Sequence, residues 1–494
     1  MSDDFARINP KKAGCLIYSC KGTGPSPSSG RHKTSRNKWA MFALTLGFPM
    51  LFRSALLLGV LTLTPLAAAA QDVKFIGTGY LDGKGTDKSG LPATLLEDGV
   101  SPMNGLNGIG SGMTYTGFQN RFILLPDRGP NKVEYQGGAE VDFTTSYQNR
   151  IQTFDIKVVQ DGTRPTGWRV DLSHVGTTLL KNAAGEQYLG ISTAFAKDGK
   201  PNRRLDSEGV GVAPDGTFWI SDEYGPHILQ FDQSGRQIGM LSAPEGFEIA
   251  APGPNLKTEM QNNKIGRATN RGAEGLTITP SGRYLAIAMQ SPLIQDGGQK
   301  GLNSRIVIYD LNNKTAAPRQ FIYPFDDTKM GISEILAVDE TRFLVNERDA
   351  AAGTNGRKLL YLVDINQSDK PTELTAAGYV GAAAKTLPES GQPDGVVALK
   401  KTLFADIGKL LNKAQEDGKG AFANARGLPD KIEGYAWGPD LPNGDHLLLA
   451  CNDNDFDSLE TGFPNYIFAF AVPPSALPGL KINKLNRGAT FGPQ

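Results

Sequence analysis

One pattern of residues recurs along the chain and constrains its fold more than any other feature. Each copy has a short segment that usually contains Glu-Gly or Glu-Ile, then an apolar strand, a turn, a second apolar strand and a polar cluster. The copies are GSGMTYTGFQNRFILLPDRGPN from Gly110, DSEGVGVAPDGTFWISDEYG from Asp206, RGAEGLTITPSGRYLAIAMQSP from Arg271, GISEILAVDETRFLVNERD from Gly331 and IEGYAWGPDLPNGDHLLLACNDND from Ile432. Asp-Gly, Ser-Gly and Asn-Gly turns between apolar runs are typical of antiparallel hairpins.

Repetition of such a unit predicts an all-β fold, a β-propeller in which each copy forms one blade. Packing twisted blades around an axis protects the edges of the sheets, which favours a propeller over a sandwich. Five repeat units are recognisable, and the two longest intervals between them leave room for a sixth blade. The segment VKFIGTGYL from Val73 is predicted to supply the outer strand that closes the ring.

The chain divides into an N-terminal region and one domain. Residues 1–49 are predicted to be a non-native upstream leader, since the stretch from Lys11 to Lys38 is rich in Gly, Pro, Ser, Lys and Arg and lacks apolar periodicity. Residues 50–70 match a secretory signal peptide, with Arg53, an apolar segment from Ala55 to Leu63 and a cleavage site after Ala70. Residues 71–494 are predicted to form a single propeller domain, with a small helical insertion at about 383–426 where LKKTLFADIGKLLNKAQ has helical spacing.

The signal peptide predicts a bacterial protein that is periplasmic or secreted, and sequencing of the mature N terminus tests this. Its apolar segment is short and lacks a charged stop, so we expect no stable membrane anchor. Lys plus Arg and Asp plus Glu number 51 each, which argues against a nucleic-acid partner. The pattern favours a small-molecule ester as substrate and leaves the oligomeric state open.

The start of the first strand in four copies carries a glutamate. Innermost strands of a propeller line its central channel, so these side chains are expected to converge there. Unpaired buried carboxylates are costly, and their convergence predicts a cation, water or arginine among them. A Glu-Gly pair could instead hydrogen-bond neighbouring backbone. The glutamates are Glu208, Glu274, Glu334 and Glu433.

A second polar group follows the second strand of each copy. Oxygen ligands without His or Cys suit Ca²⁺, and Mg²⁺ less well. The predicted metal ligands are Asp127, Glu208, Asp222, Glu223, Glu347, Asn452 and Asp453. The predicted substrate-binding residues are Asp127, Arg128, Glu223 and Arg348. The two arginines could bind an anionic group such as phosphate or could serve as ion-pair scaffolding.

The combined motifs resemble those of the bacterial phytase-like proteins described as having "esterase-like activity of phytase". The resemblance rests on LLPDRGPN at Leu124, on DSEGVGVAPDGTFWISDEYGP, on NRGAEGLTITPSGRYLAIAMQ, on ISEILAVDETRFLVNERD and on EGYAWGPDL. It implies a secreted propeller with recurrent acidic residues and a phosphoesterase activity. The copy from Gly110 lacks the first glutamate, and the Glu274 copy ends in Gln290.

These features together predict a metal-dependent phosphoesterase that acts in the central channel. Two alternatives remain open at this point: a calcium-dependent lactonase or esterase, and a non-catalytic periplasmic binding or scaffold propeller. The predicted catalytic residues are Glu208, Glu274, Glu334, Glu433, Arg128 and Arg348.

Overall fold

A computed structural model describes residues 72–197, 199–379 and 385–492. The predicted leader and signal peptide therefore lie outside the described residues. Among the helices of the described ranges, none combines the length and the apolar character needed to cross a membrane.

Five antiparallel sheets of four strands make up the domain. We number them as blades in chain order, each written from its first strand outward. Blade 1 comprises Gly112–Tyr115, Arg121–Leu125, Arg150–Gln160 and Trp168–Leu179; blade 2 comprises Ser207–Val212, Phe218–Asp222, Ile228–Phe231 and Gln237–Leu241; blade 3 comprises Ala273–Ile278, Tyr284–Met289, Asn303–Asp310 and Arg319–Pro324; blade 4 comprises Gly331–Ala337, Arg342–Arg348, Lys358–Asp364 and Thr402–Asp406; blade 5 comprises Ile432–Trp437, His446–Asn452, Asn465–Val472 and Lys74–Leu81.

The first strands contact one another in sequence around the ring, and blade 5 returns to blade 1. The all-β propeller prediction is confirmed. The described part of the chain closes with five blades, so the sixth blade that the sequence allowed is not formed there. Apolar side chains fill the layers between neighbouring blades; Trp219 and Ile228 of blade 2, for example, share a core with Leu276 and Ile287 of blade 3.

The N-terminal strand closes the ring. Lys74–Leu81 pairs antiparallel with Asn465–Val472, with Leu81 opposite Asn465. The prediction that the segment from Val73 supplies this outer strand is confirmed.

The segment predicted as an insertion differs in part from that expectation. Its residues Thr402–Asp406 form the outermost strand of blade 4 and pair with Lys358–Asp364. The strand leads directly into the helix Ile407–Glu416, which Asp406 caps by accepting a hydrogen bond from the Lys409 nitrogen at 2.9 Å. Part of the segment is therefore a strand of blade 4, and the helix is added to that blade.

The remaining elements are short and lie between or within blades. They are the helices Leu256–Asn262 and Ser458–Thr461, the 3₁₀ turns Ile294–Asp296, Gly298–Lys300 and Gly353–Asn355, and the strand pairs Gly85–Thr86 with Gly105–Leu106 and Tyr135–Gln136 with Ala139–Glu140.

The chain after blade 5 crosses one end of the ring. The Lys481 nitrogen donates to the Val338 carbonyl at 3.0 Å, and Asn486 donates to Pro214 at 2.7 Å. Phe491 then packs edge-on against Phe218, with ring centroids 6.3 Å apart. Val338 and Pro214 follow the ends of first strands, so this tail lies at the end of the ring away from the glutamates that start those strands.

Glycines in the first strands allow neighbouring strands to approach closely. A Cβ on Gly275 would lie 2.5 Å from the Ile335 nitrogen, and one on Gly209 would lie 2.6 Å from the Glu274 carbonyl oxygen. Real Cβ atoms do not approach backbone atoms so closely, so the Gly of each Glu-Gly pair is a packing requirement of a narrow five-bladed ring.

Replacing Gly275 with alanine is expected to destabilise the protein by about 2 kcal/mol or more, because the new methyl group meets rigid backbone of blade 4. Gly162 lies in an exposed turn with nothing near its Cβ position, and the same substitution there should change stability by less than about 1 kcal/mol. Urea unfolding of both variants measures the difference. Equal stability of the two variants would contradict the packing argument.

Candidate functional site

A polar cavity of about 240 Å³ lies at the start of the first strands. All five blades or the loops that lead into them contribute to its wall. The lining residues are Asp127, Arg128, Glu208, Glu223, Asn270, Arg271, Glu274, Gln290, Lys329, Gly331, Ser333, Arg348, Asp349, Ala350, Lys431, Glu433 and Asp453.

One part of the cavity wall is formed by β-bulges in the first strands of the blades. Register shifts occur around Glu208, Glu274 and Glu433, where the strand has an extra residue relative to its partner. A β-bulge of this kind redirects the side chain of the extra residue. These three glutamates line the cavity, so the geometry brings together three of the four that the repeat singled out.

Blade 4 breaks this pattern. Its register shift lies between Ile332 and Glu334, so the residue in the bulge is Ser333, and Ser333 lines the cavity. Glu334 occupies the place that glycine takes in blades 2, 3 and 5. Its carboxylate accepts hydrogen bonds at Oε1 from the Leu276 nitrogen at 3.1 Å and the Ile335 nitrogen at 3.0 Å.

The structure does not bring Glu334 together with the other three glutamates, because it bonds backbone between blades and does not line the cavity. The Glu-Ile pair of blade 4 lies one residue later, relative to the β-bulge, than the Glu-Gly pairs of blades 2, 3 and 5. In blade 1 the position before Gly112 is Ser111, and Gly112 approaches the Glu208 carbonyl as the other glycines approach their neighbours.

A second part of the cavity wall is formed by residues at the end of each second strand or directly after it. Side chains alternate between the two faces of a strand. In blades 2, 4 and 5 only the second residue of the adjacent polar pair faces the cavity, whereas in blade 1 both Asp127 and Arg128 line it. The cavity-facing residues at this position in blades 2 to 5 are Glu223, Gln290, Arg348 and Asp453.

Three predicted metal ligands, the first members of these pairs, do not line the cavity and have hydrogen-bond partners elsewhere. Asp222 accepts hydrogen bonds from the backbone nitrogens of Asp206 and Tyr224, both at 3.1 Å. Glu347 accepts from the Tyr323 hydroxyl at 2.9 Å and the Lys401 ammonium at 2.8 Å. The Asn452 side chain accepts from the Tyr466 nitrogen at 2.6 Å.

The carboxylates of Glu208, Glu223 and Glu274 form a cluster that we call the glutamate triad. One oxygen of each lies within 4.8 Å of the others. Glu223 and Glu274 are only 2% and 3% exposed, yet Glu223 Oε1 and Glu274 Oε2 have no hydrogen-bond partner among the described residues. Buried carboxylate oxygens without partners are unusual, and the three carboxylates are close enough together to hold a cation.

Burial sets the charge state of the triad in the absence of a ligand. It raises the pKa of Glu274 to about 8, and the nearby Glu433 carboxylate adds to the effect. Burial, followed by repulsion from Glu274, holds the pKa of Glu208 and of Glu223 well above the usual range for a glutamate. The triad is therefore a site that favours either protons or a cation.

A neighbouring carboxylate cluster of Asp127, Asp206 and Glu208 is already partly occupied by an arginine. Arg128 donates through its backbone nitrogen to Asp206 Oδ1 at 3.1 Å and through Nη1 to Asp206 Oδ2 at 2.6 Å. Its Nη1 also contacts the Asn270 side-chain oxygen. Asp127 accepts from the Gly129 nitrogen at 2.8 Å. Because Arg128 holds both oxygens of Asp206, the glutamate triad is the more open of the two clusters.

The wall opposite the triad carries the remaining ion pairs. Arg348 donates to the Ser333 hydroxyl at 2.7 Å and forms an ion pair with Glu433. Lys431 contacts Asp453 at 3.0 Å and Asp455 at 2.5 Å. Burial raises the pKa of Asp453 to about 7 even though Lys431 opposes the shift. The glutamate triad thus lies on the side of blades 2 and 3, and the ion pairs of Arg348 and Lys431 lie on the side of blades 4 and 5.

Several cavity residues were not singled out from the sequence. Asp206 and Arg271 begin the repeat copies, one position or more outside the predicted polar groups, and Ser333 required the bulge to be placed correctly. The missed residues are Asp206, Asn270, Arg271, Lys329, Ser333, Asp349 and Lys431.

The fold and the cavity define a five-bladed β-propeller whose channel holds one buried acidic site at one end. A family model described as "Phytase-like: Esterase-like activity of phytase" matches residues 104–456. The chain belongs to this phytase-like family, as the motifs indicated.

Individual relatives are distant. A protein of Arthroderma benhamiae (strain ATCC MYA-4681 / CBS 112371) named "Uncharacterized secreted protein" is 27% identical over 405 residues, which cover 67% of this chain and 77% of the relative. The tail fibre of Staphylococcus aureus phage P68 aligns with 8% identity and a TM-score of 0.32, over 81% of this chain and 53% of the fibre. A protein of unknown function from Bacteroides caccae aligns with 11% identity and a TM-score of 0.23, over 58% of this chain and 66% of its own length.

Proposed function

We propose that the protein is a secreted, metal-dependent hydrolase that cleaves phosphate esters in the central cavity. The observation that carries the proposal is the glutamate triad, whose buried oxygens on Glu223 and Glu274 have no partner among the described residues. Membership of the phytase-like family supports the ester chemistry. The predicted signal peptide and the name of the Arthroderma relative, a secreted protein, support secretion.

The donor set of the triad fits a hard cation. It offers carboxylate oxygens alone, with neither histidine nor cysteine, which suits Ca²⁺ first and Mg²⁺ second. Glu208, Glu223 and Glu274 would hold the ion. A bound cation at this position supplies positive charge that polarises a phosphoryl oxygen and acidifies water.

The chain's own residues supply the other functions of a hydrolase. Arg348 is positioned by Ser333 at 2.7 Å, so its guanidinium faces the cavity in a fixed orientation. Glu433 accepts from Arg348 at Oε1, and its Oε2 has no hydrogen-bond partner among the described residues. In the proposed reaction water attacks the phosphorus atom and gives its proton to Glu433 Oε2 as general base. The P–O bond to the alcohol breaks, and the departing alkoxide takes up a proton from solvent. Arg128, held by Asp206, keeps the shape of the acidic wall.

Hydrolysis of 4-nitrophenyl phosphate by the mature protein, residues 71–494, tests the proposal. We expect calcium-dependent release of nitrophenol, a loss of activity with a chelator and its recovery when calcium is added back. The variant E245Q serves as a control, since Glu245 is exposed outside the cavity and its loss should leave the rate unchanged. A protein that binds calcium and melts at a higher temperature with it, but hydrolyses no phosphate ester, would instead be a scaffold propeller.

A further inference from the structure

The cations of the cavity wall differ in their partners. Each of three has a carboxylate within the site; these pairs are Arg128 with Asp206, Arg348 with Glu433 and Lys431 with Asp453. Arg271 and Lys329 line the same cavity and form no ion pair with the residues that the structure describes. Two cations therefore remain available to a ligand.

A tight turn before blade 3 positions Arg271. Ala268 and Arg271 are bridged, and Asn270 between them has a φ of 52°. The turn directs the Asn270 side chain to Arg128 on the acidic side. Arg271 instead donates from Nη1 to the Gln290 side-chain oxygen at 3.2 Å. A guanidinium has five N–H donors, so this single neutral partner leaves most of them for a ligand.

Lys329 lies in the loop that leads into blade 4. Its backbone nitrogen donates to Asp327 at 3.0 Å, which orders the turn, while its ammonium group is exposed at the cavity. Gly331, directly after this loop, lies beside Arg271, since a Cβ built at this position would be 4.0 Å from Arg271 Nη1. Arg271 and Lys329 thus approach the cavity from two adjacent blades.

We propose that Arg271 and Lys329 bind the phosphate group of the substrate and make the cavity selective for phosphate monoesters. The inference rests on the proposed function and specifies its substrate class. A monoester phosphate is largely dianionic at neutral pH, which matches two cations that form no ion pair with the described residues. A diester has one negative charge and a carboxylic ester has none. Arginine also matches the geometry of phosphate oxygens through paired N–H donors.

The test compares R271Q and K329Q with the unchanged protein on three substrates in calcium: 4-nitrophenyl phosphate, bis(4-nitrophenyl) phosphate and 4-nitrophenyl acetate. We expect R271Q to raise the KM for the monoester on the order of tenfold, the loss typical of one charged hydrogen bond. K329Q should have a smaller effect of the same kind, and acetate hydrolysis should change less than about twofold. The control is R283Q, whose arginine pairs with Asp310 outside the cavity.

Calorimetric titration with inorganic phosphate separates this inference from the proposed function. If the unchanged protein hydrolyses none of the three esters, the proposed function fails, but phosphate binding that is lost in R271Q still supports the anion site. The inference is overturned if the unchanged protein binds no phosphate, or if R271Q binds phosphate and uses the monoester as well as R283Q does. A parallel fall in monoester and acetate hydrolysis would also overturn it, since it would indicate general damage to the site.

Discussion

Exchange of Glu223 for glutamine is expected to weaken calcium binding on the order of a hundredfold and to reduce phosphate-ester hydrolysis with it. Glutamine has the same shape but removes one of the three charges that would hold the cation. It also places an amide donor where Glu223 Oε1 has no partner among the described residues. Calorimetric titration with calcium chloride and the nitrophenyl phosphate assay measure the two effects.

Asp222 provides a matched control, because it is the adjacent acidic residue and faces the opposite way. Its carboxylate accepts from two backbone nitrogens at 3.1 Å, and the side-chain oxygen of asparagine can accept both. The variant D222N should therefore bind calcium normally. E223Q should melt, without metal, no lower than the unchanged protein, since a buried amide costs less than a buried carboxylate. Normal calcium binding by E223Q, or an equal loss in D222N, would remove the triad from the proposal.

The metal-free protein is expected to lose stability as the pH rises from about 5 to 8, and calcium should reverse this dependence. The buried carboxyl groups of the cavity keep their protons to a higher pH in the folded state than in the unfolded state. For Glu274 the folded pKa is about 8, against an ordinary value of 4.5. The groups with raised pKa are Asp127, Glu208, Glu223, Glu274 and Asp453.

The direction of this effect follows from proton counting. Between the two pKa values of such a group the folded state binds more protons than the unfolded state, so the free energy of unfolding falls as the pH rises. The stabilising contribution of each group is complete at a pH below its pKa in the unfolded state. It is lost by the time the pH reaches its pKa in the folded state. We expect the melting temperature to fall by about 5 °C or more over this interval. Saturating calcium replaces the protons, so a slope that persists in calcium would contradict cation binding at these carboxylates.

The sequence was sufficient to predict the propeller because each copy of the repeat contains the apolar residues that form the core of one blade. Apolar strands and Gly-containing turns recur in each copy, and these features depend on local geometry and burial. The blade count was left between five and six, since the long intervals contain strands of blades 1 and 4 that vary in length. Arg150–Gln160 and Trp168–Leu179 are much longer than their counterparts in blade 2.

The site was only partly predictable, for two physical reasons. Strand alternation could have separated Glu223 from Asp222 and Arg348 from Glu347, because adjacent residues of a strand face opposite ways. The bulge in blade 4 could not be placed from the sequence, since GISEI matches the Glu-Gly pattern one residue too late. That displacement assigned Glu334 to the cavity and overlooked Ser333.

Ion pairs between cavity residues that are far apart in the chain could not be predicted from the sequence. The carboxylate of Asp206 pairs with Arg128 across 78 positions of the chain, and no local pattern reports such a contact. Arg271 lay at the start of a repeat copy and could have been noted as a cation next to Glu274.

The closing strand of blade 5 has a consequence for how the protein folds. Lys74 pairs with Ala471, so the first part of the domain to be synthesised finds its partner only when nearly all of the chain is available. Contacts between such distant positions carry a large entropy cost before they form and slow folding. Until closure, the outer edge of Asn465–Val472 stays unpaired and open to association with other chains. We therefore expect chains that lack the strand Lys74–Leu81 to aggregate during refolding, although every residue that lines the cavity is still present.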